Sequence, residues 1–244
     1  MQEIKKTIKS KYGKIALSGN SDCCCMPGQC DTPMQAAASI GYDEKDLQKV
    51  PQASILGVGC GAPLNHASLK EGETVVDLGS GAGIDVFLSA NKVGKNGHVI
   101  GIDMTEEMLE KARRNAKENG YDNAEFRYGD IEESIPVDDE SVDAVVSNCV
   151  INLTTDKVAA FQEIRRILKV GGRMVVSDIV TDRETKTVDP EKWSSCIDGA
   201  LTKENYIASI KKAGFKDVNL LEERPYIQEA DGRRISSIVV KAVK

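Results

Sequence analysis

Apolar and polar positions along this chain follow two periods, and they change places at regular intervals. "TVVDLGSGAG" is a β-branched run that ends in an acid and then a glycine turn. "IDVFLSANKVG" follows with helical spacing and stops at Gly94; "GHVIGIDM" then reads as a second strand. "TEEMLEKARRNAKENG" opens with two glutamates, sets Met108, Leu109, Ala112 and Ala116 on one side, and ends at Gly120, as an amphipathic helix does. "AEFRYGD" and "SVDAVVSNC" are the third and fourth strands. "TTDKVAAFQEIRRILKVGG" carries Val158, Phe161, Ile164 and Leu168 at helical spacing before "RMVVSDIV" resumes a strand. "FKDVNLLEE" and "RRISSIVVKAV" read as a closing hairpin. Repeated strand–helix units with largely apolar strands predict an α/β fold: a doubly wound, seven-stranded, mostly parallel sheet with helices on both faces. The hairpin supplies one antiparallel strand.

Three zones are expected. Residues 1–70 form a helical, cysteine-rich cap: a polar helix up to Leu17, the thiol-rich "SDCCCMPGQC", and a short helix opening at Thr32 and Pro33, which suit a cap and first turn. Residues 71–180 form the strand–helix core, and residues 181–244 the substrate-side helices and last two strands of the same sheet. A chain of 244 residues is long enough for one such domain with modest additions.

Composition narrows the function. Thirty-two basic against 38 acidic residues, formally −6, speak against wrapping a nucleic-acid backbone. At 5 % aromatic there is little material for stacking bases. No 18-residue apolar run and no signal-peptide core stand in the sequence, so a cytoplasmic protein with no membrane partner is expected, and a monomer. Seven cysteines are too sparse for a disulfide scaffold; in a reducing compartment they read as ligands, nucleophiles or redox partners.

In such sheets ligands bind beyond the C-terminal ends of the strands. Gly79, Ser80, Gly81 and Gly83 lie there, just after Asp77. The spacing is G-x-G-x-G, and Ile84 stands where a dinucleotide fingerprint wants its third glycine. Asp103 ends the second strand, where a carboxylate accepts ribose hydroxyls; Asp130 follows the third, within reach of an adenine amino group. Together these positions predict a nucleoside-bearing cofactor. Cys149 closes the fourth strand and faces the same crevice, whereas a core cysteine more often lies mid-strand. Cys60 sits between glycines in "GVGCGAP", and Cys196 in "KWSSCIDGAL", inserted after the fifth strand. A structural zinc is poorly served, because Cys23, Cys24, Cys25 and Cys30 do not form the usual pair of C-x2-C pairs. Soft sulfur instead suits a soft, thiophilic centre.

"VVDLGSGAG", "VIGIDMT", "YGDIE" and "LKVGGRMVVSDI" resemble a Rossmann-like class I methyltransferase that uses S-adenosyl-L-methionine. "LGVGCGAPLNHASLKEGETVVDLGSGAGIDVFL", "IGIDMTEEML" and "SNCVINLTTDK" resemble, more narrowly, the arsenite S-adenosylmethionine methyltransferases, over roughly residues 10 to 220. Two departures stand out: Ala62 replaces a common asparagine, and much of a longer C-terminal region carried by many members is missing. The resemblance implies that Asp77 and Gly79 to Gly83 face the methionine part, that Asp103 holds the ribose, and that Asp130 and Ile131 flank the adenine. Met104 would pack on the base, a plain core role being the other reading. Tyr12 would cover the sulfonium by cation–π attraction or serve as a helix anchor. Asn148 would fix the Cys149 loop or touch the cofactor, and Asp198 would orient Cys196 or satisfy backbone N–H groups.

The resemblance further implies that Cys149 and Cys196 hold trivalent arsenic (arsenite or methylarsenite), with Cys60 as third sulfur. Methyl transfer then makes arsenic pentavalent. A leader thiol, Cys30 first and Cys24 next, would return it to the trivalent state by forming a disulfide with Cys60, reopened by thioredoxin or a small dithiol. The run of three cysteines would otherwise pre-capture arsenic or be mere excess. Two rival readings follow from the same residues: a methyltransferase for another small acceptor, and a thiol-based metalloid-binding protein. A dehydrogenase ranks below both because of Ile84.

Overall fold

A computed structural model describes residues 2–18, 32–185, 188–230 and 232–244, with the backbone alone for 227–230. Four helices lead: α1 (Gln2–Ser18), α2 (Pro33–Ser39), α3 (Glu44–Leu47) and α4 (Leu64–Ala67). The core follows as β1 (Thr74–Leu78), α5 (Ile84–Val93), β2 (His98–Asp103), α6 (Glu106–Glu118), β3 (Ala124–Tyr128), β4 (Val142–Asn148), α7 (Lys157–Ile167) and β5 (Leu168–Thr181). Then come α8 (Pro190–Ser194), α9 (Lys203–Lys212), β6 (Lys216–Ala230) and β7 (Arg233–Val243).

The strands form one sheet in the order β3-β2-β1-β4-β5-β7-β6. β3, β2, β1, β4 and β5 run parallel, and β7 inserts antiparallel between β5 and β6. Apolar residues on both pleat faces bury the sheet between two helical layers. Phe161, Ile164 and Tyr206 cover one face; Phe87, Leu109 and Ala112 cover the other. Local signals fix the helix ends. Thr32 caps α2 by accepting the Gln35 N–H, with Pro33 in the first turn. Asp156 caps α7 through the Ala159 N–H, and Met108, Leu109, Ala112 and Ala116 are buried on α6 as their spacing predicts.

One boundary differs from the pattern. Leu168, expected as the last apolar position of a helix, instead opens β5 and pairs with Val142. The register then slips, and Ala144 pairs with Arg173, so the glycines at 171 and 172 lie in a strand irregularity rather than in a loop between elements.

Chain order reverses around β1, whose neighbours are β2 and β4. That switch point opens a crevice at the C-terminal strand ends. α1 lies against α6 and α8 and roofs the crevice. No helix among the described residues is long and apolar enough to cross a membrane.

Candidate functional site

After β1 the chain turns through Gly79 at φ 67 and Gly81 at φ 52, backbone that favours glycine. A Cβ at Gly79 would sit 2.3 Å from Val150 Cγ2, whereas one at Gly81 would meet only Met108 Sδ, at 3.9 Å. Gly81 therefore faces the open crevice. Asp103 clamps this turn from the end of β2: its Oδ2 accepts the Gly81 N–H at 2.9 Å and its Oδ1 the Thr105 N–H at 2.8 Å. Burial raises its pKa, and those N–H groups pull it back down. Asp77, buried beneath the turn, is raised well above the usual carboxylate range by burial and by Asp85 and Asp103. Asp85 itself is pushed up to about 6 by burial, against the Tyr42 hydroxyl 2.8 Å from both its oxygens.

Tyr12, Asp77, Gly79, Ser80, Gly81, Asp103, Met104, Asp130, Ile131 and Asn148 all line this one crevice. Gly83 stands behind it, at φ 99, as the residue before α5. Two of these side chains have partners that sequence did not announce. Asp130 is held by Lys5 of α1, whose Nζ lies 2.6 Å from Oδ2, and by the Glu132 N–H at 3.0 Å. Asn148 supports the Cys60 loop: its Oδ1 accepts the Cys60 N–H at 3.1 Å, and its Nδ2 donates to Tyr42 Oη at 2.9 Å and Gly61 O at 2.6 Å.

The crevice fits a nucleoside carrying a cationic sulfonium. Buried Asp77 and Asp85 and half-buried Asp103 give it a floor of carboxyl groups, Ser80 Oγ is buried without a hydrogen-bond partner among the described residues, and Gly81 leaves space beside them.

Three sulfurs meet at one end of the same crevice. Cys149 Sγ lies 3.6 Å from Cys196 Sγ, and Cys196 Sγ donates to Cys149 O at 3.3 Å. The Cys60 and Cys149 sulfurs and a carboxylate oxygen of Asp178 all lie within 4.8 Å of one another. Cys60 and Cys196 are buried and Cys149 is half-buried. The Cys149 thiol is raised well above its ordinary pKa, first by its contacts with the Cys196 and Cys60 thiols and then by burial. Each sulfur is placed by a different element. Cys149 follows β4, its N–H bonded to Ser177 O of β5 at 2.7 Å. Gly61 lets the Cys60 loop approach β5 so closely that a Cβ there would lie 2.2 Å from Ser177 Oγ, which itself sits 3.5 Å from Cys60 Sγ. Asp198 anchors the Cys196 turn: it pairs with Arg233 of β7 at 2.8 Å, both side chains buried, and accepts the Asp189 N–H. Cys30, like Cys23, Cys24 and Cys25, lies outside the described residues.

Sequence reading missed Asp178, Lys157 and Ser177. Asp178 is fully buried on β5; its Oδ2 accepts from the Tyr206 hydroxyl at 2.9 Å, and its Oδ1 has no hydrogen-bond partner among the described residues. Burial pushes it up to about 7, against the Tyr206 hydroxyl and the nearby Lys157 ammonium. The signal was an acid inside the apolar run "RMVVSDIV", where a carboxylate is costly without a purpose.

The strand order and the glycine-lined switch point define a class I methyltransferase fold. A family model described as a methyltransferase domain matches residues 69–214. The crystal structure of an arsenic(III) S-adenosylmethionine methyltransferase from Chlamydomonas reinhardtii superposes with a TM-score of 0.68 at 32% identity, covering 88% of this chain and 75% of that one. Arsenite methyltransferase of Halobacterium salinarum is 41% identical over 96% of this chain and 63% of its own length. The human arsenite methyltransferase is 33% identical over 87% of this chain and 58% of its own length. The chain belongs to the arsenite methyltransferase family. It spans less than two thirds of the length of the curated relatives named here.

Proposed function

We propose that this chain transfers the methyl group of S-adenosyl-L-methionine to trivalent arsenic held by thiolates. The observation that carries the reading is the convergence of sulfurs from three separate segments within the crevice that holds the glycine turn: Cys149 and Cys196 line it beside Asp77 and Gly79, and Cys60 stands against Cys149. Each thiol displaces one hydroxyl of arsenous acid, its proton leaving with that hydroxyl as water. A pyramidal centre held by three sulfurs keeps its lone pair on the side away from them, and that pair is the nucleophile. No general base is needed for transfer, since the nucleophile carries no proton.

When bound, S-adenosylmethionine supplies an electrophilic methyl carbon on a sulfonium. The chain's work is binding and alignment, which is worth about 7–11 kcal/mol when two reactants are held in register. Asp77 faces the methionine end of the crevice and Asp103 its ribose position, and α1 covers it through Lys5 and Tyr12. Transfer leaves arsenic pentavalent. Two electrons from a pair of thiolates return it to the trivalent state and leave a disulfide between Cys60 and a leader cysteine, Cys30 being first choice. Thioredoxin or a small dithiol then reopens that disulfide by exchange.

The test uses arsenite, methyl-labelled donor and a dithiol with the parent chain, Cys149→Ser and Cys60→Ser. Loss of Cys149 is expected to abolish methylation of both arsenite and methylarsenite, because it removes the sulfur central to the cluster. Loss of Cys60 is expected to abolish the start from arsenite and spare the start from methylarsenite, which needs two sulfurs. Equal activity in all three proteins removes the reading.

A further inference from the structure

The mechanism above uses three sulfurs and leaves one neighbour without a task. A carboxylate oxygen of Asp178 shares the 4.8 Å cluster with the Cys60 and Cys149 sulfurs, and the side chain is 0% exposed. One of its two oxygens is engaged by Tyr206; the Asn152 and Ile151 N–H groups lie near the carboxylate, but Oδ1 makes no hydrogen bond of full geometry among the described residues. A buried carboxylate oxygen without a donor is costly. A pyramidal arsenic centre does not relieve that cost, since its three valences are met by sulfur and its fourth side holds a lone pair that repels an anion.

We propose that Cys60, Cys149 and Asp178 form a second, overlapping ligand set in this pocket, which takes a divalent borderline-soft cation of the Zn2+ class and competes with trivalent arsenic. Two thiolates and one carboxylate are a common donor set for such an ion, with Zn–S about 2.3 Å and Zn–O about 2.0–2.2 Å. Ligand atoms around a tetrahedral ion of that size stand about 3.5–3.8 Å apart; the Cys149 and Cys196 sulfurs already stand at 3.6 Å. The three ligand atoms of the set, no more than 4.8 Å apart, reach that spacing by side-chain rotation of about 1 Å.

Charge separates the two occupants. Three thiolates neutralise trivalent arsenic without Asp178. Two thiolates and the Asp178 carboxylate exceed a divalent ion by one negative charge, and Lys157 balances it. That ammonium is buried, fixed by the Thr154 and Asn152 carbonyls at 3.1 and 3.4 Å, and lies in the field of both Asp178 and Cys196. Thiol and carboxyl protons released on binding pass to the buffer. Cys196 remains available as a fourth donor, and arsenic must displace the cation to recruit Cys60 and Cys149. Thiophilic divalent cations are therefore built-in inhibitors of this pocket.

The experiment measures Zn2+ binding against a chromophoric chelator in a full-length background carrying Cys23→Ser, Cys24→Ser, Cys25→Ser and Cys30→Ser, so that leader thiols contribute nothing. One Zn2+ per chain is expected, released by stoichiometric arsenite. Asp178→Asn, isosteric and able to keep the Tyr206 contact, is expected to weaken Zn2+ at least tenfold and to change arsenite binding, read by tryptophan fluorescence, less than threefold. Absence of Zn2+ binding, Zn2+ that arsenite does not displace, or equal weakening of both ions overturns the proposal. X-ray absorption of the zinc-loaded background protein answers without the Asp178 variant: two or three sulfurs near 2.3 Å with an oxygen near 2.0 Å are expected. An all-sulfur shell, or one without sulfur, overturns it. Zinc binding needs neither S-adenosylmethionine nor methyl transfer, so absence of zinc binding in a protein that still methylates arsenite leaves the methyl-transfer reading standing, and zinc binding without methylation does the reverse.

Discussion

Gly61→Ala isolates the steric fit that brings Cys60 to its place. Gly61 has ordinary φ, so alanine meets no backbone strain there, only a collision. The new Cβ would lie 2.2 Å from Ser177 Oγ and 3.1 Å from Ser177 Cβ, about 1 Å short of ordinary contact at the first atom. Overfilling of this kind in a packed interior costs about 1–3 kcal/mol. Ser177→Ala deletes the colliding oxygen and leaves the 3.1 Å contact as the tightest. The double variant is therefore expected to regain about 1–2 kcal/mol relative to the sum of the two single changes. Urea unfolding followed through Trp193, the one tryptophan of the chain, measures all four corners of this cycle. Function divides in parallel. Displacing Cys60 removes the third sulfur, so Gly61→Ala is expected to lose methylation of arsenite and retain more of that of methylarsenite, and Ser177→Ala is expected to restore the former in part. Energies that add within about 0.5 kcal/mol, or equal loss on both acceptors, would refute the steric account of how Cys60 is positioned.

Asp198→Ala leaves Arg233 charged and buried, with an expected cost of about 3–5 kcal/mol; thermal unfolding checks it, and a cost under 1 kcal/mol denies the pair its anchoring role. Asp85 is raised from an unfolded value of 3.8 to about 6. Its contribution to stability is thus fully present below pH about 4 and lost as pH rises through about 6, on the order of 3 kcal/mol. Asp85→Asn is expected to flatten the fall in stability over that window relative to the parent, and identical slopes would contradict the burial argument. Lys5→Ala releases α1 from Asp130 and is expected to weaken S-adenosylmethionine binding severalfold by calorimetry. Unchanged affinity would show that α1 does not cover the cofactor.

The sheet was legible because its strands are apolar on both faces and its turns are spelled in glycine and aspartate. "TVVDLGSGAG" carries strand, turn and crevice within ten residues. Of the hairpin at the sheet edge, β7 was legible in the apolar run of "RRISSIVVKAV", whereas β6 is polar and largely exposed and runs on to Ala230, past the "FKDVNLLEE" that was expected. The β5 boundary was not, since helical spacing in "FQEIRRIL" continues through Leu168 while pairing with Val142 decides its state. Among site residues, those on the crevice rim follow from position after a strand. Convergence of Cys60, Cys149 and Cys196 is a tertiary fact, and no local period encodes it; the family resemblance supplied it, and the distances bear on it directly. Partners such as Lys5 for Asp130, or Arg233 for Asp198, are 125 and 35 residues away in sequence. Nothing local distinguishes either cation from a surface charge.

Backbone conformation supplies an independent argument that the thiol cluster is built for a ligand. Among the described residues five non-glycine residues have positive φ, and two of them are Cys149 at 61° and Cys196 at 65°. A left-handed conformation costs a residue with a Cβ about 1–2 kcal/mol, and asparagine or glycine would occupy either position more cheaply. The cost at Cys149 is offset by its N–H bond to Ser177 O at 2.7 Å, and at Cys196 by its N–H bond to Trp193 O at 2.8 Å and by the Asp198–Arg233 anchor beside it. Both strained residues line the crevice with their sulfurs 3.6 Å apart. Packing alone has no use for two strained cysteines that meet, since a buried thiol fills space equally well from relaxed backbone. Strain concentrated on two residues that touch each other is what a pre-set bidentate sulfur site requires, because the ligand then finds its donors already aligned and the ordering cost is met during folding.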